Sequence, residues 1–241
     1  DNEYGYPVGS GTPAKGDWWG IYVQSGGSAV LNSTVIRYGG GGDWIGEANS
    51  LVRVDEGGSL TLTNSILEHS EDYGVLVGGI ETQAILNNTI SDCSSNGIYI
   101  YDIDEDTLPA SPEIRGNVIN NCSYPINVST DDGYTGEFRI TDNSGSGNTY
   151  NYIQMPSLLV GSVKLGTSNA LDWVFSSVNV TTDAIWELGP DEVIKIISSG
   201  INVNGMLRVN TTADQPVVFT SLADNEYGYP VGSGTPAKGD W

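Results

Sequence analysis

The sequence predicts an all-β chain wound as a solenoid of stacked coils, and three observations carry that expectation. A short strand-and-turn motif recurs in phase through the first half of the chain. No window shows sustained helical periodicity. Residues 1–18, DNEYGYPVGSGTPAKGDW, return letter for letter at residues 224–241. The copy divides the chain into one repeat unit, residues 1–223, and the opening of an identical one, residues 224–241. Such repetition is the signature of architectures in which each unit buries its apolar face against a neighbour.

Residues 1–17 are rich in Gly and Pro and lack any period-2 run, so they read as a surface excursion. Trp18 and Trp19 lead into a strand at Gly20-Ile21-Tyr22-Val23, and Gly26-Gly27 turns the chain. Ala29-Val30-Leu31 opens the next strand, which runs on through Val35-Ile36. The motif Leu31-Asn32-Ser33-Thr34-Val35 then aligns with Leu62-Thr63-Asn64-Ser65-Ile66, Leu86-Asn87-Asn88-Thr89-Ile90 and Ile114-Arg115-Gly116-Asn117-Val118, at spacings of 31, 24 and 28 residues. This alignment places Leu31, Leu62, Leu86 and Ile114 in the core. A further strand precedes each later copy, at Leu51–Val54, Gly74–Val77 and Gly97–Tyr101, and a weaker one follows at Tyr124–Val128.

One coil cannot bury its own apolar face, so coils must stack. Asn and Gly at the turn positions accept left-handed backbone and can hydrogen-bond to the next coil. A β-sandwich would give turn signals every 8–12 residues without a coil motif recurring in phase. Beyond residue 137 the strand candidates are Glu137–Ile140, Ser157–Val160, Val163–Leu165, Trp173–Phe175, Val193–Ile197, Met206–Val209 and Pro216–Phe219. The count is eight or nine coils per unit, a rod of roughly 40 Å at a strand spacing of about 4.8 Å.

Acidic residues number 30 against 9 basic, for a net charge of −21. Nucleic acid as a partner is excluded, because phosphates need a basic stripe. The charge suits a soluble surface in salty or calcium-bearing water. Hydrophobic residues make up 38%, which separates the chain from a disordered acidic tail. No run of 18 apolar residues exists, so this segment contains no predicted membrane-spanning helix.

Pro216-Val217-Val218-Phe219-Thr220-Ser221, a Gly-rich loop, and then Gly239-Asp240-Trp241 resemble a recurring coil of right-handed parallel β-helix proteins. The same holds for Gly16-Asp17-Trp18 leading into Trp19-Gly20-Ile21, and for the Leu-x-x-Ser/Thr-Val/Ile coils. The resemblance is to the pectate-lyase-like superfamily, in its bacterial and archaeal cell-surface type. It implies a right-handed parallel β-helix over most of the chain. That fold hosts lyases, hydrolases, adhesins and passive scaffolds, so function rests on sites.

A lyase of that superfamily would hold Ca²⁺ on acidic residues with a neighbouring Arg or Lys as base. The best cluster is Asp102, Asp104, Asp106 and Glu113, with Arg115 close behind. Their spacing imitates an EF-hand loop, but Thr107 replaces the required Gly, and Pro109 and Pro112 break the flanking helix. The loop is therefore read either as a non-EF-hand calcium site or as solvated acid. Asp131-Asp132 reads as a solvated turn. His69, the single histidine, reads as a surface residue at a coil corner, and zinc lacks its ligands. No Asn-Thr-Asp, Gly-His-Gly or Arg-Ile-Lys set of a polygalacturonase is present. Trp19 reads as packing the loop on its own coil, whereas Tyr4 and Tyr6 could do the same or contact a glycan or a partner.

Asn-x-Ser/Thr sequons stand at Asn32, Asn87, Asn121, Asn127, Asn179 and Asn210, and point to glycosylation and an extracellular, cell-surface address. Cys93 lies three residues after Ile90 and Cys122 three after Ile119, so they share a place on successive coils. Stacking would put their Cα atoms about 5 Å apart, within disulfide range, with a pair of buried thiols as the alternative. The reading is a structural repeat unit of an extracellular filament, sheath, surface layer or adhesin stalk. Its partners would be head-to-tail copies of itself, with surface glycans as a further possibility. A carbohydrate-binding or carbohydrate-cleaving β-helix is the alternative.

Two site expectations can be checked on one sample. Millimolar Ca²⁺ is expected to raise the unfolding midpoint relative to chelator. The unreduced, unfolded chain is expected to take up no alkylating reagent at Cys93 or Cys122. Identical midpoints count against the metal, and two alkylated thiols count against the disulfide.

Overall fold

A computed structural model of the chain describes residues 11–42, 49–79, 83–101, 112–129, 134–137, 139–166 and 170–240. These residues form 25 strands, and every pairing between them is parallel. The longest sheet has nine strands, Ile21–Val23, Ser50–Val54, Tyr73–Gly78, Ile98–Tyr101, Ile126–Val128, Ile153–Met155, Trp173–Phe175, Val193–Ile196 and Val218–Ser221, stacked in chain order. Neighbours in the sheet are one coil apart in sequence, which is the geometry of a solenoid.

Two further sheets complete the first five coils. One runs through Ser28–Asn32, Ser59–Thr63, Gln83–Leu86, Glu113–Arg115 and Arg139–Thr141. The other runs through Val35–Arg37, Ile66–Ser70, Thr89–Cys93, Val118–Asn120 and Ser144–Ser146. From Leu158 onward the cross-section changes. The strand Leu158–Lys164 pairs with both Val178–Val180 and Ile185–Leu188, and these pair with Ile201–Val203 and Met206–Val209.

Strict register turns the alternation of each strand into continuous apolar rows. In the long sheet Val52, Val75, Ile98, Ile126, Ile153, Trp173 and Ile194 succeed one another, all buried. The parallel row Val54, Val77, Ile100 and Val128 lies beside them. Burying each such side chain contributes about 1.5–3 kcal/mol.

The corner between the second and third sheets explains the recurring motif. Ser33, Asn64, Asn87, Gly116 and Asp142 occupy one position in successive coils, all with φ between 51° and 69°. This single left-handed residue bends the chain, which favours Gly, Asn and Asp. The residue after it points inward: Ser65, Asn88, Asn117 and Asn143 are buried one above another. Asn117 Oδ1 accepts from Asn88 N at 3.0 Å, and Asn117 Nδ2 donates to Ile85 O at 2.8 Å. Asn143 repeats this toward Asn117 N and Ile114 O, at 3.1 and 2.9 Å.

This register corrects one expectation. Leu62 pairs with Ile85, and Ile85 with Ile114, so Ile85 is the buried residue of the third coil. Leu86 pairs with Thr63 and Arg115 and is only half-buried. Two consecutive asparagines misled the alignment, because Asn87 is the bend and Asn88 the inward residue. A one-residue slip moves a strand's side chains to the opposite face. Leu62 and Ile114 are buried as expected, while Leu31, in the first of the stacked coils, is half-buried. The last long-sheet strand is Val218–Ser221 rather than Pro216–Phe219. Ser157–Val160 and Val163–Leu165 merge into Leu158–Lys164.

Replacing Asn117 with Ala orphans the Asn88 N–H and the Ile85 carbonyl inside the rod. The expected loss is about 2–4 kcal/mol of unfolding free energy in a urea titration. A loss below about 0.5 kcal/mol would show that the ladder does not hold the coils.

Candidate assembly site

The residues with the richest buried chemistry surround the second copy of the repeated segment. Lys195 lies on the outer row of the long sheet, in register with Val174 and Thr220. Outward residues of a sheet normally face water, yet Lys195 is 0% exposed because residues 224–229 close over it. Its ammonium meets Asp172 Oδ2 at 3.0 Å and donates to the carbonyls of Asp224 at 2.8 Å and Tyr229 at 2.7 Å. Three acceptors match the three protons of the ammonium. Asp172, 7% exposed, also accepts the Tyr229 N–H at 2.8 Å. Gly228, at φ +70°, crosses so near Asp172 that an added Cβ would lie 2.2 Å from its Oδ1.

The segment carries its own shape to this dock. Asn225 bridges it by accepting from Gly232 N and donating to Gly232 O, at 3.2 and 3.1 Å. Asp224 accepts from Thr220 Oγ1 and from Glu226 N. Beside the dock opens a cleft lined by Gly166, Leu171, Asp172, Glu192, Gly228 and Tyr229. Glu192 is 3% exposed, and among the described residues neither of its carboxylate oxygens has a well-formed hydrogen bond, the Gly189 backbone only partly favouring its charge. Burial pushes its pKa up to about 8.

A second polar cluster sits at the corner after the third sheet. Tyr38, His69, Asp92, Asn121 and Gly147 take the left-handed position there, with φ between 54° and 68°. His69 stacks on Tyr38 with ring centroids 4.8 Å apart, and its Nδ1 meets the Asp92 carboxylate. Lys15 reaches the other Asp92 oxygen at 2.9 Å. Partial burial pushes the Asp92 carboxyl up, but the hydrogen bonds from Lys15 and His69 prevail and hold it below the usual range. His69 is thus a corner residue, half exposed. Trp18 Nε1 donates to Arg37 O at 2.9 Å, and Trp19 packs on Gly42, so both rings brace the loop that follows the first coil.

Asp102, Asp104, Asp106, Asp131, Asp132, Tyr4 and Tyr6 lie outside the described residues. Glu113 is described. It stands half exposed in a strand of the second sheet and pairs with the exposed Arg115 at 3.2 Å. No cluster of three or more His, Cys, Asp or Glu able to hold a metal occurs among the described residues. No described helix is long and apolar enough to cross a membrane. Cys93 and Cys122 stand on adjacent coils, where Ile90 pairs with Ile119 three residues earlier, as buried thiols, the alternative to the expected disulfide. Hydrogen bonding with Cys122 and burial raise the Cys93 thiol well above its ordinary range. Asn32, Asn87, Asn121 and Asn210 are exposed, and Asn127 and Asn179 half-buried. The Lys195–Asp172 dock had no signal in the sequence beyond a lone lysine between two isoleucines.

Parallel strands stacked coil on coil define a parallel β-helix. A family profile described as a right-handed β-helix region matches residues 15–158, more than half of the chain, and the chain belongs to that family. The match ends where the three-sheet coils give way to the Leu158–Lys164 strand. No curated protein and no solved structure matches the chain significantly.

Glu192 makes stability depend on pH. The folded chain keeps its proton up to about pH 8, whereas an unfolded glutamate releases it near 4.5. Its stabilising proton is fully in place below that lower value and is lost as pH rises through about 8. Glu192→Gln is expected to be more stable than the parent at alkaline pH and to flatten the decline between acid and alkaline conditions. Parallel stability curves for the two proteins in urea would refute this.

Proposed function

We propose that the chain is a structural repeat unit of an extracellular, cell-surface rod in which copies stack head to tail. The observation that carries the reading is the identity of residues 1–18 and 224–241, combined with the register of the long sheet. Core partners in that sheet are separated by between 20 residues (Ile153 to Trp173) and 31 residues (Ile21 to Val52). The copy is offset by 223 residues, so Ile21 of a following unit falls 25 residues after Phe219, inside that range. A following coil therefore continues the ladder with a loop of ordinary length.

Both end coils support the same reading. Ile21, Ala29 and Leu31 at one end, and Leu207, Val217 and Phe219 at the other, are only partly buried against the core. Among the described residues the outermost strands, Ile21–Val23 and Val218–Ser221, each have one neighbour in the long sheet. An open edge of this kind is a template for another strand. A head-to-tail contact that does not close on itself generates a filament. The exposed sequons and the excess of acid over base agree with an outer surface.

Electron microscopy of the concentrated chain is expected to show unbranched rods with an axial repeat of about 43 Å, nine strand spacings. Isolated globules at every concentration would refute the proposal.

A further inference from the structure

We infer that the 18-residue segment is a two-sided clasp, one half gripping the unit before it and the other half gripping the unit after it. The inference rests on the head-to-tail reading and adds which residues make the junction. Each copy in this chain displays one side of the clasp. The second copy shows the grip on the preceding unit, where Asp224 and Tyr229 close over Lys195 and Asp172. The first copy shows the grip on the following unit. There Lys15 pairs with Asp92, Gly16 N donates to Gly39 O at 3.2 Å, and Trp18 Nε1 donates to Arg37 O.

The two copies share one local conformation where they can be compared. Ala14 N donates to Asp17 Oδ2 at 2.9 Å, and Ala237 N donates to Asp240 Oδ2 at 2.7 Å. Gly16 has φ +82° and Gly239 has φ +93°. Their surroundings differ. Gly16 lies against the Glu71 carboxylate, close enough that an added Cβ would fall 2.0 Å from it, whereas Gly239 has nothing within 4 Å. Lys238, the counterpart of Lys15, is exposed and pairs with no carboxylate among the described residues. The second copy is thus folded for a Glu71 and an Asp92 that its own unit does not offer it. A unit carries one Lys195–Asp172 dock, and residues 224–229 fill it.

Charge makes such a clasp useful. A chain with 30 acidic and 9 basic residues repels its copies; one grip sets Lys15 of the segment against Asp92, and the other offers the Asp224 and Tyr229 carbonyls to a Lys195 already paired with Asp172. The buried grip on Lys195 holds the segment firmly, because lifting it away takes two of the three acceptors from the ammonium. The outer grip through Lys15 or Lys238 is exposed and so weaker and exchangeable.

The test mixes isotopically heavy and light full-length chains at concentrations where they associate, followed by zero-length carbodiimide cross-linking and mass spectrometry. The expected result is heavy-to-light Lys238–Asp92 links. Lys15→Gln removes the competitor within the chain and should increase those links severalfold. Lys238→Gln should abolish them and weaken association by about two- to fivefold, as for an exposed pair. Both substitutions are at partly or fully exposed lysines, away from the core. Association that proceeds without these links, and unchanged by Lys238→Gln, overturns the clasp and leaves the stacked rod intact. Absence of any association in parent and variants overturns the rod, and the clasp with it.

Discussion

A ladder of buried asparagines inside the bends of three successive coils, Asn88, Asn117 and Asn143, is the constraint on which the first half of this rod depends. A one-residue left-handed corner bends the chain, and it leaves backbone groups pointing into the interior, away from water. Asn88, Asn117 and Asn143 answer them from the next coil: each Nδ2 donates to a carbonyl one coil back, at Leu62, Ile85 and Ile114. Each Oδ1 accepts a backbone N–H of the preceding rung, at Ser65, Asn88 and Asn117. The rungs are mutually dependent, because a half-satisfied buried polar network costs more than an apolar one. Slipping any coil by a residue would break several of these bonds and also turn its apolar row outward. The Val and Ile rows of the long sheet are thus held in line by polar chemistry at the corner.

The second half of the rod solves the same problem differently. Beyond Ser146 the asparagine ladder gives out, and large side chains fill the interior. Phe175 and Trp186 meet edge to face with centroids 5.6 Å apart, and Trp186 meets Phe219 at 6.2 Å. Edge-to-face aromatic pairs of this kind add to the apolar burial itself. The broad strand Leu158–Lys164 spans what the first half divides between two sheets. The family match ends at this change of cross-section, and on the outer face of this second half lies the Lys195–Asp172 dock. The stacking geometry that the family profile matches and the buried Lys195–Asp172 dock are therefore separated along the rod. A solenoid's interior needs only repetition, whereas a junction needs residues that occur once.

Much of the fold was legible in the sequence because solenoid periodicity is written locally. The strands at Ile21–Val23, Ser50–Val54, Tyr73–Gly78 and Ile98–Tyr101 stand where β-branched and aromatic runs between turn residues placed them. The three-residue strands Ile153–Met155, Val178–Val180 and Ile201–Val203 escaped notice. So short a strand has too few alternations to separate from loop, and only its neighbours in the stack make it a strand. The site was far less legible. His69 could be assigned to a corner, but nothing in its sequence neighbourhood announced Asp92 and Lys15 as its companions. Glu192 sits beside Asp191 in the chain and reads there as ordinary surface acid, although it is buried.

The sequence by itself determined that the chain is all β, that it winds in parallel coils, and that an 18-residue segment is used twice. Each is a matter of spacing, composition or identity, and needs no knowledge of what touches what. The tertiary structure alone decided which of Asn87 and Asn88 bends the chain and which enters the core. It alone brought Lys195, Asp172 and Tyr229 together across 57 residues of chain, Asp172 to Tyr229. The physical reason is that stacking fixes contacts between coils through register. Register depends on the lengths and conformations of all the intervening loops, which no local pattern encodes.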